Sequence, residues 1–492
     1  MAVTLSWAVL TSLASAAPSA EILKALKTTA AVQAVPAPPS IHRQAIRQRM
    51  AAERGKVAQP TPLAGTQVDL YPPLKLESKP RAPLPPTVTK ALERQAAAEL
   101  QQRKDAAAVQ SRATLASFTP LCQTLGINTL YTLNGPQMGN AYCYHFAVTQ
   151  KAKSTALLVG QNANTDFALT LLKDDGANNL SVVAVSDVIG NGDEFITALT
   201  EPGNYYWYME PYATDGTPIN FGVVVNTQID AYELNDVPAL TTVLPDKLNT
   251  LYGNSDSTDD LDHYLFTSVR GQDVVIMLEG VSSGTSGQWI TEISGNGTAW
   301  QAVQNDGYTS IGNLQQNQPI YVRVRPNPTA TWSATAQYRL YIGSAPMTDS
   351  HTVSGESEFL KIPSALSGIT LSTQALQNLT WIARFYDSKG APLPGVDSYM
   401  AFNKGSGATT QTKESITNIS GQDFQNINLG TCFGDYSVII PDNSTGQNYN
   451  WKTSYNVGVW RIIVPTNNNL GVGGDNVPTV TLGHICDQYI VH

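Results

Sequence analysis

Charged residues are scarce in this chain of 492 residues, at 14% against the roughly 25% usual in soluble domains. That scarcity excludes a charge-rich disordered protein, in which repulsion and low hydrophobicity prevent burial. A run of about 20 apolar residues is also missing, which excludes a multi-pass membrane protein. Histidine is rare: His42, His145, His263, His351, His484 and His492 are the full set. None stands in H-E-x-x-H, the spacing that sets two imidazoles on one helix face around zinc. A G-x-S-x-G elbow and a subtilisin-like set of Asp, His and Ser motifs are absent too. Gly284-Thr285-Ser286-Gly287 lies in a Ser/Gly stretch with no base beside it and is expected to be a turn. Gly190-Asn191-Gly192 opens like a dinucleotide fingerprint, but Phe195 stands where the third glycine belongs. A hairpin-type turn is the expectation there. Together these absences argue against an enzyme.

What charge there is falls unevenly. Residues 21–115 hold 15 Lys/Arg and 7 Asp/Glu, and residues 1–20 hold none, which leaves 15 and 32 for residues 116–492. A basic arm therefore precedes an acidic body. An acidic body is a poor partner for nucleic acid, whose phosphates are bound by Lys and Arg. It suits cations or neutral polymers better.

Residues 1–17 have the pattern of a secretory signal. An apolar stretch over 3–13 is followed by Ala14-Ser15-Ala16, an A-x-A cleavage pattern, although no basic residue precedes it. The expected location is secreted, extracellular or periplasmic. The four cysteines agree with export. Cys122 and Cys143 form one local pair and Cys432 and Cys486 another, neither with C-x-x-C spacing. In an oxidising compartment each pair can close a loop within one domain; four separate buried thiols are the alternative.

Residues 18–115 are rich in Ala, Pro and Gln. Val35-Pro36-Ala37-Pro38-Pro39 and Pro83-Leu84-Pro85-Pro86 suggest extended linker, and helices are expected near 41–54 and 88–114 because good helix formers dominate there. The arm is expected to be a largely solvated linker or pro-segment. From Phe118 onward, short Val/Ile/Tyr/Phe/Thr runs alternate with Gly/Asn/Asp/Ser turns about every ten residues. The fold class expected is all-β, as tandem β-sandwiches over 116–228, 229–346 and 347–492. An internal repeat links the first two: Tyr144-His145-Phe146 matches Tyr264-Leu265-Phe266, and Tyr206-Trp207-Tyr208-Met209 matches Tyr321-Val322-Arg323-Val324. Strand alternation places Trp207 and Met209 in the core. Tyr206 and Tyr208, with Tyr321 and Arg323 on the matched strand, would then face outward as a ligand-binding strip for sugar rings or a peptide; half-covered tyrosines without a ligand are the plainer alternative.

The second unit carries a more specific signature. It runs Asp230-Ala231-Tyr232-Glu233-Leu234-Asn235-Asp236, then Gly253-Asn254, Asp259-Asp260-Leu261-Asp262-His263-Tyr264-Leu265-Phe266 and Arg270-Gly271-Gln272. This resembles the bacterial pre-peptidase C-terminal (PPC) domain family and is similar to the collagen-binding modules of collagenases, well over 229–345 and faintly over 118–228. The resemblance implies a jelly-roll-like sandwich and a calcium site. It assigns the metal to Glu233, Asn235, Asp236, Asp259 and Asp262; a turn cap with a solvated acidic loop is the alternative. In the first unit Gly139-Asn140-Ala141-Tyr142 replace the acids, and the Cys122–Cys143 pair is expected to stand in for the metal. Gly458-Val459-Trp460-Arg461-Ile462-Ile463-Val464 resembles a strand of bacterial immunoglobulin-like domains, which implies that fold for 347–492. The function expected is a secreted, non-catalytic bacterial protein that binds an extracellular protein or polysaccharide. The alternative is an accessory partner of a secreted peptidase or surface assembly, docking through the arm.

Overall fold

The computed structural model describes residues 26–38, 41, 43–54, 71, 73–80, 101, 120–174, 180–282, 284–354, 378–403, 411–428, 434–442, 447–461 and 479–491. The signal-like segment, nearly all of the helix expected over 88–114, and Cys432 with its pairing to Cys486 lie outside the described residues. The arm supplies β1 (Lys27–Gln33), α1 (Arg43–Glu53) and β2 (Lys75–Pro80). The first unit holds β3 (Gln123–Thr124), β4 (Thr129–Asn134), β5 (Tyr142–Val148), β6 (Ala152–Val159), β7 (Asp166–Asp174), β8 (Leu180–Ser186), β9 (Glu194–Thr200), β10 (Gly203–Ala213) and β11 (Ile219–Asn226). The second holds β12 (Thr242–Val243), β13 (Leu248–Gly253), β14 (Asp262–Ser268), β15 (Val274–Gly280), β16 (Trp289–Ser294), β17 (Gln301–Val303), β18 (Gly307–Gly312), β19 (Gln318–Pro326) and β20 (Tyr338–Ser344). The last body holds β21 (Met347–Ser354), β22 (Asn378–Tyr386), β23 (Asp397–Asn403), β24 (Gln411–Ile416), β25 (Gln422–Asn428), β26 (Gly434–Asp442), β27 (Gln447–Arg461) and β28 (Thr479–Val491).

The chain is an all-β protein of tandem sandwiches. The first pairs sheet β1-β4-β11-β6-β9 with sheet β3-β5-β10-β7-β8; the second pairs β13-β20-β15-β18-β2 with β12-β14-β19-β16-β17. Without the arm strands the two orders are the same, so the faint sequence repeat is a repeat of topology. The register agrees: Trp207 lies opposite Tyr144, and Val322 opposite Tyr264. In the last body the sheets are β21-β22-β25 and β24-β23-β27-β26, with β28 paired to β27.

Alternation along each strand builds the cores. In the first, Trp207 and Met209 pack with Tyr144, Phe146 and Phe221, and the Trp207 indole donates to the Gly222 carbonyl at 3.0 Å. In the second, Ile320, Val322 and Val324 point inward while Tyr321, Arg323 and Arg325 are half-exposed. Cys122 and Cys143 form a disulfide with 5.7 Å between their Cα atoms, beside the parallel pairing of β3 with β5.

The arm departs from the expectation of a solvated linker. β1 adds a parallel edge to β4, and β2 adds an antiparallel edge to β18, so one segment borders both sandwiches. Short, charged β2 (Lys75, Glu77, Lys79) is a typical sheet edge. Between them, α1 lies on the outer face of the first sandwich. Ile46 and Met50, four residues apart on one helical face, bury with Ile41 against Leu172, Val185, Tyr206 and Tyr208. Arg43 and Arg47 pair with Glu210, and Arg54 pairs with Asp187 at 2.8 Å and with Asp166 at 2.5 Å. An 11-residue helix is marginal alone. Docking supplies what its own length does not: about 1.5–3 kcal/mol for each fully buried side chain, with arginines set against the acidic body. Met50 has no exposed surface. Met50→Ala is therefore expected to lower the urea-unfolding stability of the first sandwich by about 2–5 kcal/mol; wild-type behaviour would show that α1 is not docked.

Candidate functional site

β11 of the first sandwich ends at Asn226, and the chain then crosses to the second through residues 227–241. Asp230, Glu233, Asn235 and Asp236 lie in that crossing. A second acidic segment, Asp256 to Asp262, joins β13 to β14. Hydrogen bonds fold the two together. The Asn235 carbonyl accepts from the His263 N–H at 3.1 Å, the Asp256 N–H donates to Asp260 Oδ2 at 2.8 Å, and Asn254 donates through Nδ2 to the Gln228 carbonyl at 2.6 Å. Gly253 is required here. A Cβ on it would stand 2.3 Å from the Tyr338 ring and 2.8 Å from Asp230 Oδ2.

The carboxylates meet a lysine from the other sandwich. Lys153, at the start of β6, is buried to 9% exposure. Its Nζ donates to Asp236 Oδ1 at 2.7 Å, Asp260 Oδ1 at 3.0 Å and Glu233 Oε1 at 3.2 Å, and pairs with Asp256 Oδ2 at 2.8 Å. Burial disfavours the ammonium, but the four carboxylates hold its pKa well above the ordinary value. They are left with surplus negative charge. Burial pushes Glu233 up to about 8, against the pull of Lys153. Burial also raises Asp256 and, more strongly, Asp260. Burial works against Asp236 as well, yet Lys153 and the hydrogen bonds from Asp260 and Lys153 keep it below its ordinary value.

Only part of the expected metal set gathers here. Glu233 and Asp236 do. Asp259 is exposed, and neither the carboxylate cluster nor the ion pairs of Lys153 include it. Asp262 is fully buried but accepts instead from the Tyr338 hydroxyl at 2.8 Å; burial, with Asp230, Asp260 and Glu233 nearby, holds its carboxyl well above the usual range. The side-chain amide of Asn235 is buried without a hydrogen-bond partner among the described residues. Asp256, Asp260 and Lys153 complete the cluster. Neither Asp256 nor Asp260 is among the site residues expected from the sequence, although their spacing around a Ser/Asp turn is a signal that could have found them; nothing local marks Lys153, about 80 residues upstream in another sandwich. The acids present suit a divalent cation in charge and donor type. They do not fit one while Lys153 Nζ occupies the point on which they converge.

The expected ligand strip also changes. Tyr206 and Tyr208 do point out of the sandwich, opposite to Trp207, as alternation requires. They are nevertheless 0% exposed, because α1 covers that face. Arg43 donates to the Tyr208 hydroxyl at 3.3 Å, which in turn donates to Glu210 at 2.9 Å. On the matched face of the second sandwich, Tyr321 and Arg323 remain half-exposed. The Arg323 guanidinium lies 4.4 Å from the Trp300 ring centre and donates to Glu292 at 2.6 Å.

No family model matches the chain, and no curated protein does. Among solved structures, the pre-peptidase C-terminal domain of a collagenase from Bacillus anthracis overlaps 21% of this chain and 93% of its own, at 21% identity and a TM-score of 0.17. A protein described as secreted, from Eubacterium rectale, overlaps 45% of this chain and 78% of its own, at 10% identity and a TM-score of 0.16. The PBSX exported protein XepA overlaps 44% and 83%, at 11% identity and a TM-score of 0.14.

The close approach at Gly253 gives a direct check on the cluster's packing. Gly253→Ala is expected to cost about 1–3 kcal/mol by overpacking, while Gly287→Ala, where an added Cβ meets nothing within 4 Å, is expected to change little. Equal melting temperatures for the two variants would contradict the packing described.

Proposed function

We propose that the chain is a secreted, non-catalytic binding protein whose ligand is an extracellular polypeptide, held on the outer face of the second sandwich. The observation that carries this is the contrast between two equivalent faces. In the first sandwich, Tyr206, Tyr208 and Glu210 are covered by a peptide helix of the same chain. In the second, the matched positions Tyr321, Arg323 and Arg325 are half-exposed, and Arg323 lies over the Trp300 ring. A face that takes a helix in one repeat is suited to take a polypeptide in the other. Aromatic and arginine side chains are those most enriched at the energetic centres of protein interfaces. A polysaccharide is the less favoured ligand, since the intramolecular example is protein.

The Cys122–Cys143 disulfide supports an oxidising compartment. The E-x-N-D and D-x-D-x-Y-x-F segments, together with the repeated strand order, support assigning both sandwiches to the pre-peptidase C-terminal type. The last body would act as an immunoglobulin-like spacer in this reading; its Gly458-Val459-Trp460 segment lies in the long strand β27. Docking to a peptidase partner through the arm is disfavoured for β1 and α1, which are already held on this chain's own first sandwich.

A pull-down with insoluble collagen, other fibrous proteins and a range of polysaccharides tests the proposal. Retention on a protein polymer is expected, with at least about a tenfold loss of affinity, or ~1.4 kcal/mol, in a Tyr321→Ala/Arg323→Ala variant. Retention on polysaccharide alone, or no effect of the double substitution, would contradict it.

A further inference from the structure

We propose that Lys153 is an intramolecular cation standing where this acidic cluster would otherwise hold a divalent metal, so that the joint between the sandwiches is metal-independent as folded and becomes a divalent-cation site once the ammonium is removed. This does not rest on the function proposed above.

The donor set is larger than a lysine needs. An ammonium has three protons to give, yet four carboxylates surround Nζ at 2.7–3.2 Å. The ligand oxygens of Glu233, Asp236 and Asp260 all lie within 4.8 Å of one another. That matches the span across a calcium ion, which binds oxygens at about 2.3–2.6 Å and takes six to eight of them. Two further oxygens on these carboxylates, Glu233 Oε2 and Asp256 Oδ1, are buried and have no hydrogen-bond partner among the described residues. They are spare donors of the kind a higher-coordinate ion uses.

Tethering changes what the cation does. A free ion would join only the two acidic segments, both of which enter the second sandwich. Lys153 belongs to β6, which pairs with β11 and β9 inside the first sandwich. The same charge therefore ties one domain to the next. Asn226, opposite Lys153 in the β6–β11 ladder, reinforces the joint by donating to the Asp256 carbonyl at 2.5 Å.

The experiment uses the full chain and two readouts, calcium or terbium binding and melting temperature in calcium against chelator. Wild-type protein is expected to bind no ion at the cluster and to melt at the same temperature in both media. Lys153→Ala is expected to melt lower in chelator, to take up one ion per cluster, and to recover its melting temperature in calcium. Asp260→Asn added to Lys153→Ala should abolish that gain. Glu233→Gln, which keeps the lysine, should be as indifferent to calcium as wild type. A calcium-induced shift in wild type that Glu233→Gln removes would overturn the proposal. So would a Lys153→Ala protein that calcium fails to restore, whether it folds in chelator or not.

Discussion

One buried ammonium among four carboxylates fixes how the first two sandwiches meet. Each partner is costly to bury alone. A lysine at this depth would lose its charge, and four carboxylates without it would repel one another in a medium that screens poorly. Together they hold Lys153 charged while Glu233, Asp256 and Asp260 are pushed toward their protonated forms. Breaking such a cluster by removing one member is generally far worse than never building it. The crossing 227–241 and the loop into β14 therefore depend on a residue in the preceding domain.

The arm makes a second connection between the same bodies. β1 borders the first sandwich and β2 the second, at opposite ends of the repeated strand order. α1 between them closes the aromatic face of the first sandwich with Ile46, Met50, Arg43 and Arg47, and Arg54 just after it adds a further ion pair. The charge asymmetry of the chain thus has a physical role: part of the basic arm neutralises part of the acidic body. At the far side of the second sandwich, Arg270 bridges to Asp387 of the last body at 2.8 Å, so ion pairs mark that junction too.

Much of the fold was legible locally. Period-two alternation assigned Trp207 and Met209 to the core and turned Tyr206 and Tyr208 outward, and the register of β10 on β5 agrees. The repeat was legible in the Tyr-x-Phe strands, and the disulfide in the local spacing of Cys122 and Cys143. What was not legible depends on contacts far apart in the chain. Ile46 and Met50 are too few to advertise a docking face, and β2 (Lys-Leu-Glu-Ser-Lys-Pro) has little intrinsic β preference. Both are defined by what they pack against. At the acidic cluster, composition identified a cation-binding environment, but not that the cation would be a lysine side chain. Position within the acidic segments also misled: Asp259 is exposed, while Asp256, upstream of the Asp259–Phe266 run, pairs with Nζ.

A crystal structure of the full chain grown in calcium, with anomalous data collected, shows directly whether Lys153 or a metal ion holds the joint. Lys153 Nζ is expected within hydrogen-bonding distance of Glu233, Asp236, Asp256 and Asp260, with no anomalous peak among them, if the lysine is the cation of this joint. A calcium peak with these oxygens about 2.3–2.6 Å away, and the lysine displaced, would contradict it.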